Sequence, residues 1–235
     1  MSSHRTRALR APAVLAFAGS ALALAAYPIL RPWGPETGLE GASDFASAAW
    51  PIAHLLGMIG FVTLALGLRA LATMGPNPWP PGSVRRSETL AWLAVAFLLP
   101  FYGGEAFGLQ AVGQYAVEAQ DPAVLSIADT FRNGPLALTT FGIGLLLLLV
   151  VGVRIAVELW GSGPVARLGG LLVGAGLVTY LPQFYGTPAV RIAHGIILAA
   201  GLLLVALAIS RQAGRPQVLR GDPVERAGSL SLEAN

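Results

Sequence analysis

The sequence predicts an all-α protein: a polytopic membrane bundle of six transmembrane helices with both termini in the cytoplasm (N-in/C-in). Three observations predict it. First, the 235 residues are 54% apolar and only 11% charged, with a mean hydropathy of +0.65; a soluble domain carries about 25% charged residues. Second, the apolar residues fall into runs near the ~20 residues that a membrane-spanning helix needs. Third, the arginines gather between alternate runs, which is how a membrane protein encodes its orientation.

Residues 1–10 form a polar, basic tail with Arg5, Arg7 and Arg10, and the first span covers about residues 11–30. An arginine-rich start followed by Ala23-Leu24-Ala25 also fits a secretory signal peptide with an A-x-A site. The run is longer than the ~7–15 apolar residues of such a peptide, which favours an uncleaved helix. Residues 31–49 then read as an outer segment with Pro32, Trp33, Pro35, Glu36, Glu40 and Asp44. The second span is expected at about 51–71, with Trp50 as an interfacial anchor. Residues 72–87 are too proline-rich to be regular helix or strand throughout.

The third span is expected at about 88–112, and residues 113–133 read as a looser connection. Inside it, Asp121-Pro122 has the form of an N-cap followed by a first helical residue. Val124, Leu125, Ala128 and Phe131 recur at helical spacing, as in a short helix lying on a membrane surface. The fourth span, about 134–153, has no polar residue after Thr140 until Arg154 and reads as lipid-facing scaffold. The fifth span is placed at about 168–183 and the sixth at about 189–210, with a polar, disorder-prone cytoplasmic tail over 211–235.

All 15 basic residues are arginine. Twelve lie in the N-terminal tail, residues 69–87, residues 154–167 and the C-terminal tail. The opposite connections hold only Arg31 and Arg132, with Arg191 inside the sixth span. That imbalance sets the orientation and locates the chain in a plasma membrane, as a multi-pass protein of a bacterial inner membrane. It also accounts for the pI near 9.8 without nucleic acid as a partner. The absence of cysteine excludes disulfides, thiolate metal ligands and Fe–S clusters. No phosphate loop, nucleophile elbow or dinucleotide fingerprint occurs, and nothing in the sequence identifies an enzyme substrate.

The residues that most need a reason are the polar ones inside the spans. Glu105 follows Pro100 and Gly103-Gly104 in the third span, where a carboxylate at membrane depth is costly. Alternating helix direction brings Glu105, His54 and His194 to one level, roughly 5–10 Å from the outer interface at a rise of about 1.5 Å per residue. Tyr102 shares a helix face with Glu105, and Arg191 shares one with His194. An Ile-Ala-His triplet at 52–54 and again at 192–194 matches this placement. Pro100 and the two glycines predict a kinked or opened helix.

Three functional readings stay open. His54, Glu105 and His194 would hold a divalent metal, or the two histidines a haem, with Tyr102 and Arg191 alongside. Alternatively the same residues line the pocket of a small-solute transporter or solute-binding subunit. The third reading is a scaffold whose glycine-lined helix faces hold a partner membrane subunit. Each residue also has a structural role available: an interfacial histidine, a snorkelling arginine, a proline kink. At His54-Leu55-Leu56-Gly57 and Glu105-Ala106-Phe107 the chain resembles a group of uncharacterised six-helix bacterial membrane proteins. Its size and topology are similar to small vitamin-uptake subunits. The resemblance covers mainly the second and third spans, implies the six-helix fold and carries no activity.

Overall fold

The computed structural model describes residues 2–74 and 81–211, and every regular element among them is helical. The proline cluster at 76, 78 and 80 and the polar C-terminal tail lie outside the described residues. In chain order the helices are α1 (Ser2–Leu30), α2 (Gly38–Ala46), α3 (Ala49–Thr73), α4 (Pro81–Gly103), α5 (Leu109–Ala119), α6 (Ser126–Asn133), α7 (Pro135–Leu159), α8 (Pro164–Val178) and α9 (Pro188–Arg211). A π-helical turn, Gly104–Gly108, fuses α4 to α5, and 3₁₀ turns occupy Pro122–Leu125 and Pro182–Tyr185.

Five stretches are long and apolar enough to cross a membrane: Arg10–Leu30, Ala49–Thr73, Gly82–Ala119, Pro135–Leu159 and Pro188–Arg211. The expected fifth span differs. Instead of 168–183, its helix is the 15-residue α8, only about 22 Å long at 1.5 Å per residue. Pro164 fixes its start and Thr179 leaves helical geometry at φ −90°, ψ 10°. Pro182 then opens a 3₁₀ turn. The expected third span is also revised, because the helical rod starts before residue 88 and runs past 112 to Ala119.

Six helices pack in a closed circuit: α1 on α3, α3 on α4, α4 on α7, α7 on α8, α8 on α9, and α9 back on α1. The buried centre contains Phe17, Phe61, Leu64, Leu98, Leu148, Leu177, Leu198 and Leu202. Leu15, Leu22, Leu146, Val157 and Leu203 are exposed on the outside. Helices that are apolar both toward their neighbours and away from them are what a lipid surround selects. Arg10 Nη1 donates to the Ile209 carbonyl at 3.5 Å, so the start of α1 and the end of α9 share one end of the circuit.

The other end carries a cap. The rod α4–α5 spans 38 residues, about 57 Å of helix, and α5 packs against α2. The cap has a small core of its own, with Ala42, Phe45, Trp50, Leu109, Ala116, Leu125 and Ala128 buried together. The expected N-cap is present, with the Asp121 carboxylate accepting the Ala123 N–H at 3.0 Å. Helix α5 ends at Gln120, whose φ of +53° closes a left-handed C-cap with Asp121 N–H on the Ala116 carbonyl at 3.0 Å.

Close approach of α5 to α2 depends on Gly113, where a Cβ would lie 2.6 Å from Ala46 N and 2.7 Å from the Ala42 carbonyl oxygen. Both neighbours are backbone and cannot swing aside. Gly113→Ala is therefore expected to destabilise the protein by about 1–3 kcal/mol through overpacking. Gly142→Ala, where a Cβ meets nothing within 4 Å, serves as the control that leaves thermal unfolding unchanged or slightly improved.

Candidate functional site

The site begins with the π-helical turn. Pro100 lies inside α4, and the helix widens just beyond it over Gly104-Glu105-Ala106-Phe107-Gly108. A wider turn frees a backbone acceptor: the Trp50 indole N–H donates to the Glu105 carbonyl at 2.7 Å. Gly104 leaves room for α6, since a Cβ there would run into the Phe131 ring. Phe131 stacks on Phe101 at 5.1 Å, and Phe101 on Phe141 at 4.0 Å.

Glu105 is buried, and its charge is matched by Arg132 of α6. Arg132 Nε donates to Oε1 at 2.6 Å and Nη2 to Oε2 at 2.8 Å, the bidentate geometry that makes Arg–carboxylate pairs strong. Arg132 Nη1 donates to Glu36, whose other oxygen accepts from Arg31 Nη2. Arg31 is clamped between the Trp33 and Trp50 rings, 4.4 and 4.5 Å from their centroids. A ladder of alternating charge, Arg31–Glu36–Arg132–Glu105, thus ties the α1–α2 connection to α6 and to the π turn.

His54 lies next in this ladder. Its Nδ1 donates to the Trp50 carbonyl at 2.8 Å, and its Nε2 faces Glu105 Oε2 at 3.7 Å. Its ring packs edge-on to Tyr27 at 5.4 Å. The Tyr102 and Tyr180 hydroxyls hydrogen-bond at 3.1 Å. His194 shares a bond at 2.9 Å between its Nε2 and the Gly176 carbonyl, and packs edge-on to Tyr180 at 5.6 Å. Arg191 Nε donates to the Gly186 carbonyl at 3.2 Å and Nη2 to the Phe184 carbonyl, with its guanidinium over Trp33.

A cavity of about 400 Å³ opens at the capped end, lined by Tyr27, His54, Tyr102, Glu105, the three arginines Arg31, Arg132 and Arg191, and Glu36 among others. Four of the five residues singled out from sequence therefore share one cavity. His194 is not among its lining residues.

The expected metal shell of His54, Glu105 and His194 is corrected. Both Glu105 oxygens are taken by Arg132, and His194 Nε2 is spent on a backbone carbonyl. Among the described residues, no three His, Cys, Asp or Glu side chains are grouped to hold a metal ion. A haem shared by the two histidines meets a different obstacle, because the hydrogen-bonded pair Tyr102–Tyr180 packs between them. The fourth span is corrected too: α7 contributes Leu138 and Phe141 to the cavity wall and is more than lipid-facing scaffold.

Sequence reasoning missed Arg132, Glu36 and Arg31 as site residues. A signal for two of them was present. Arg31 and Arg132 fall in the two connections that the sequence reading expects to be poor in arginine, and a charge kept against that expectation signals another use. The chain has the make-up of a membrane protein, all-helical among its described residues with five helices able to span. Comparison with family models, curated proteins and solved structures gave no significant match.

Two predictions follow from the ladder. Arg132→Gln leaves the buried Glu105 carboxylate unpaired and is expected to cost about 3–5 kcal/mol; adding Glu105→Gln restores part of that loss in denaturant unfolding. Burial pushes the Glu36 carboxyl up, but Arg132 and Arg31 outweigh burial and hold it below its ordinary value of 4.5. A depressed carboxylate contributes stability above its unfolded value and loses it as pH falls toward the folded one. The wild type is therefore expected to lose stability below pH 4.5 more steeply than Glu36→Gln, in melting curves taken across that range.

Proposed function

We propose that this chain is a multi-pass protein of a bacterial inner (plasma) membrane, six helices across with both ends cytoplasmic, and that its capped-end cavity binds a small solute from the outer side. The cavity is the observation that carries this reading. Its volume of about 400 Å³ falls within the range of about 300–1,000 Å³ typical of small-molecule sites. It combines aromatic walls with a few fixed charged groups, the usual composition of such sites.

The orientation rests on charge. Arg10, Arg69, Arg154 and Arg211 belong to the uncapped end and its connections, so the cap faces outward by the positive-inside rule. In this arrangement α8 crosses a locally thin part of the bundle, with the 3₁₀ turn Pro182–Tyr185 completing the passage. The inward end is closed by a polar clamp between α4 and α7. The Glu158 carboxylate accepts from Ser83 Oγ at 2.6 Å, Ser87 Oγ at 2.9 Å and Arg154 Nη2 at 2.9 Å. The remaining space beside it is only about 10 Å³, room for a single water at most. A solute-binding or transport subunit, open outward and shut inward, suits these features better than a metal centre.

The chain has no cysteine, so single-cysteine variants report sidedness cleanly. Glu118→Cys on the cap is expected to react with a membrane-impermeant maleimide in intact cells, and Gly161→Cys only after lysis; the reverse pattern overturns the orientation. For the cavity, thermal unfolding of purified protein across a panel of small solutes is expected to show stabilisation that Leu138→Trp, at the cavity wall, removes. No stabilisation across the panel removes the solute reading.

A further inference from the structure

The cavity has an unequal charge inventory. Three guanidiniums, Arg31, Arg132 and Arg191, face two carboxylates, Glu36 and Glu105. Arg132 commits all three of its nitrogens to those carboxylates. Arg31 is bonded to Glu36 and to the Pro32 carbonyl while clamped between two indoles. Arg191 is different. Among the described residues no carboxylate lies within salt-bridge distance of it, and its Nη1 makes no hydrogen bond. The carbonyls of Gly186 and Phe184 take Nε and one Nη2 proton. They fix the group without neutralising it. Of the five N–H donors on a guanidinium, two are used on those carbonyls and three, on Nη1 and Nη2, have no partner among the described residues.

The guanidinium lies over the Trp33 and Phe184 rings, 5.1 and 5.8 Å from their centroids. Phe101, Phe141, Phe184, Leu138 and Leu181 line the same cavity and give it an apolar wall, in which the Phe101 and Phe141 rings stack face to face at 4.0 Å. From this juxtaposition we infer that the cavity takes a small amphipathic anion, a carboxylate or phosphate head on a compact apolar body. Arg191 receives the head and the phenylalanine wall receives the body. The inference rests on the solute-cavity reading and narrows it to a chemical class. An unpaired guanidinium held in a low-dielectric site gains most from a planar, two-oxygen anion. The cavity's own carboxylates are already paired, Glu105 with Arg132 and Glu36 with Arg31 and Arg132.

An anion of this kind has two sources, a free solute or the headgroup region of an anionic lipid. The test uses full-length protein in nanodiscs of phosphatidylcholine, with naphthoate as the probe and naphthamide as its uncharged isostere, and calorimetric affinities as the readout. Naphthoate is expected to bind at least about tenfold more tightly than naphthamide, as for loss of one charge-assisted hydrogen-bonded contact. Arg191→Gln should abolish that preference while leaving naphthamide binding in place, and Arg191→Lys should keep part of it. Arg191 also ties the turn at 184–186, so Arg191→Lys, which retains the charge, guards against loss of fold. Adding phosphatidylglycerol to the discs separates the sources: Arg191-dependent competition with naphthoate assigns the site to a lipid anion, and no competition assigns it to a free solute. Equal binding of naphthoate and naphthamide, both blocked by Leu138→Trp, overturns the anion assignment and leaves the cavity reading standing. Binding of neither probe, with no effect of phosphatidylglycerol, overturns both.

Discussion

The bidentate pair between Arg132 and Glu105 is the constraint around which the capped end is built. A carboxylate in the apolar third rod has to be neutralised, and Arg132 does so with two parallel N–H donors, one to each of its oxygens. The pair adds little net stability over an apolar alternative, but losing one member is expensive. It therefore acts as a positional rule. Wherever Glu105 is, α6 has to come, and α6 brings Phe131 down over the π turn and the cap core with it. The cavity is the space left beneath once that cap is fixed.

The two ends of the bundle use polar residues in opposite ways. At the uncapped end, Ser83, Ser87, Arg154 and Glu158 satisfy one another in a closed network. A network of that kind rigidifies a helix pair and leaves nothing to offer a ligand. At the capped end, the ladder ends on one side at an imidazole whose Nε2 stands 3.7 Å from a carboxylate oxygen. Across the cavity stands an arginine whose hydrogen bonds among the described residues go to backbone carbonyls. Incomplete satisfaction of fixed, partly buried polar groups is a physical mark of a binding site, and the capped end shows it around the cavity.

Much of the architecture was legible in one dimension. Hydropathy located the long spanning helices, and Asp121-Pro122 identified the short turn before α6; Pro164, read as loop, is instead a first-turn residue of α8. Pro100 with Gly103-Gly104 pointed to a distorted helix, and the distortion follows immediately after them. Where local reading failed, it failed on length and on pairing. Helix α8 is short because Thr179 and Pro182 end it inside an apolar run, which a hydropathy window does not register. Trp50, read as an interfacial anchor, is buried and bonded to the π turn.

By itself the sequence determined an all-helical, membrane-type chain and carried a sidedness signal in its arginines. Those properties depend on composition, turn chemistry and helical rise, all of which are local. Only the tertiary structure decided which charges meet. Glu105 and Arg132 are 27 residues apart and Glu36 and Arg132 are 96 apart, and His194 turns to the Gly176 carbonyl and away from the other two. Pairing across such separations is set by the rotation and crossing of packed helices, and no periodicity along the chain carries that information.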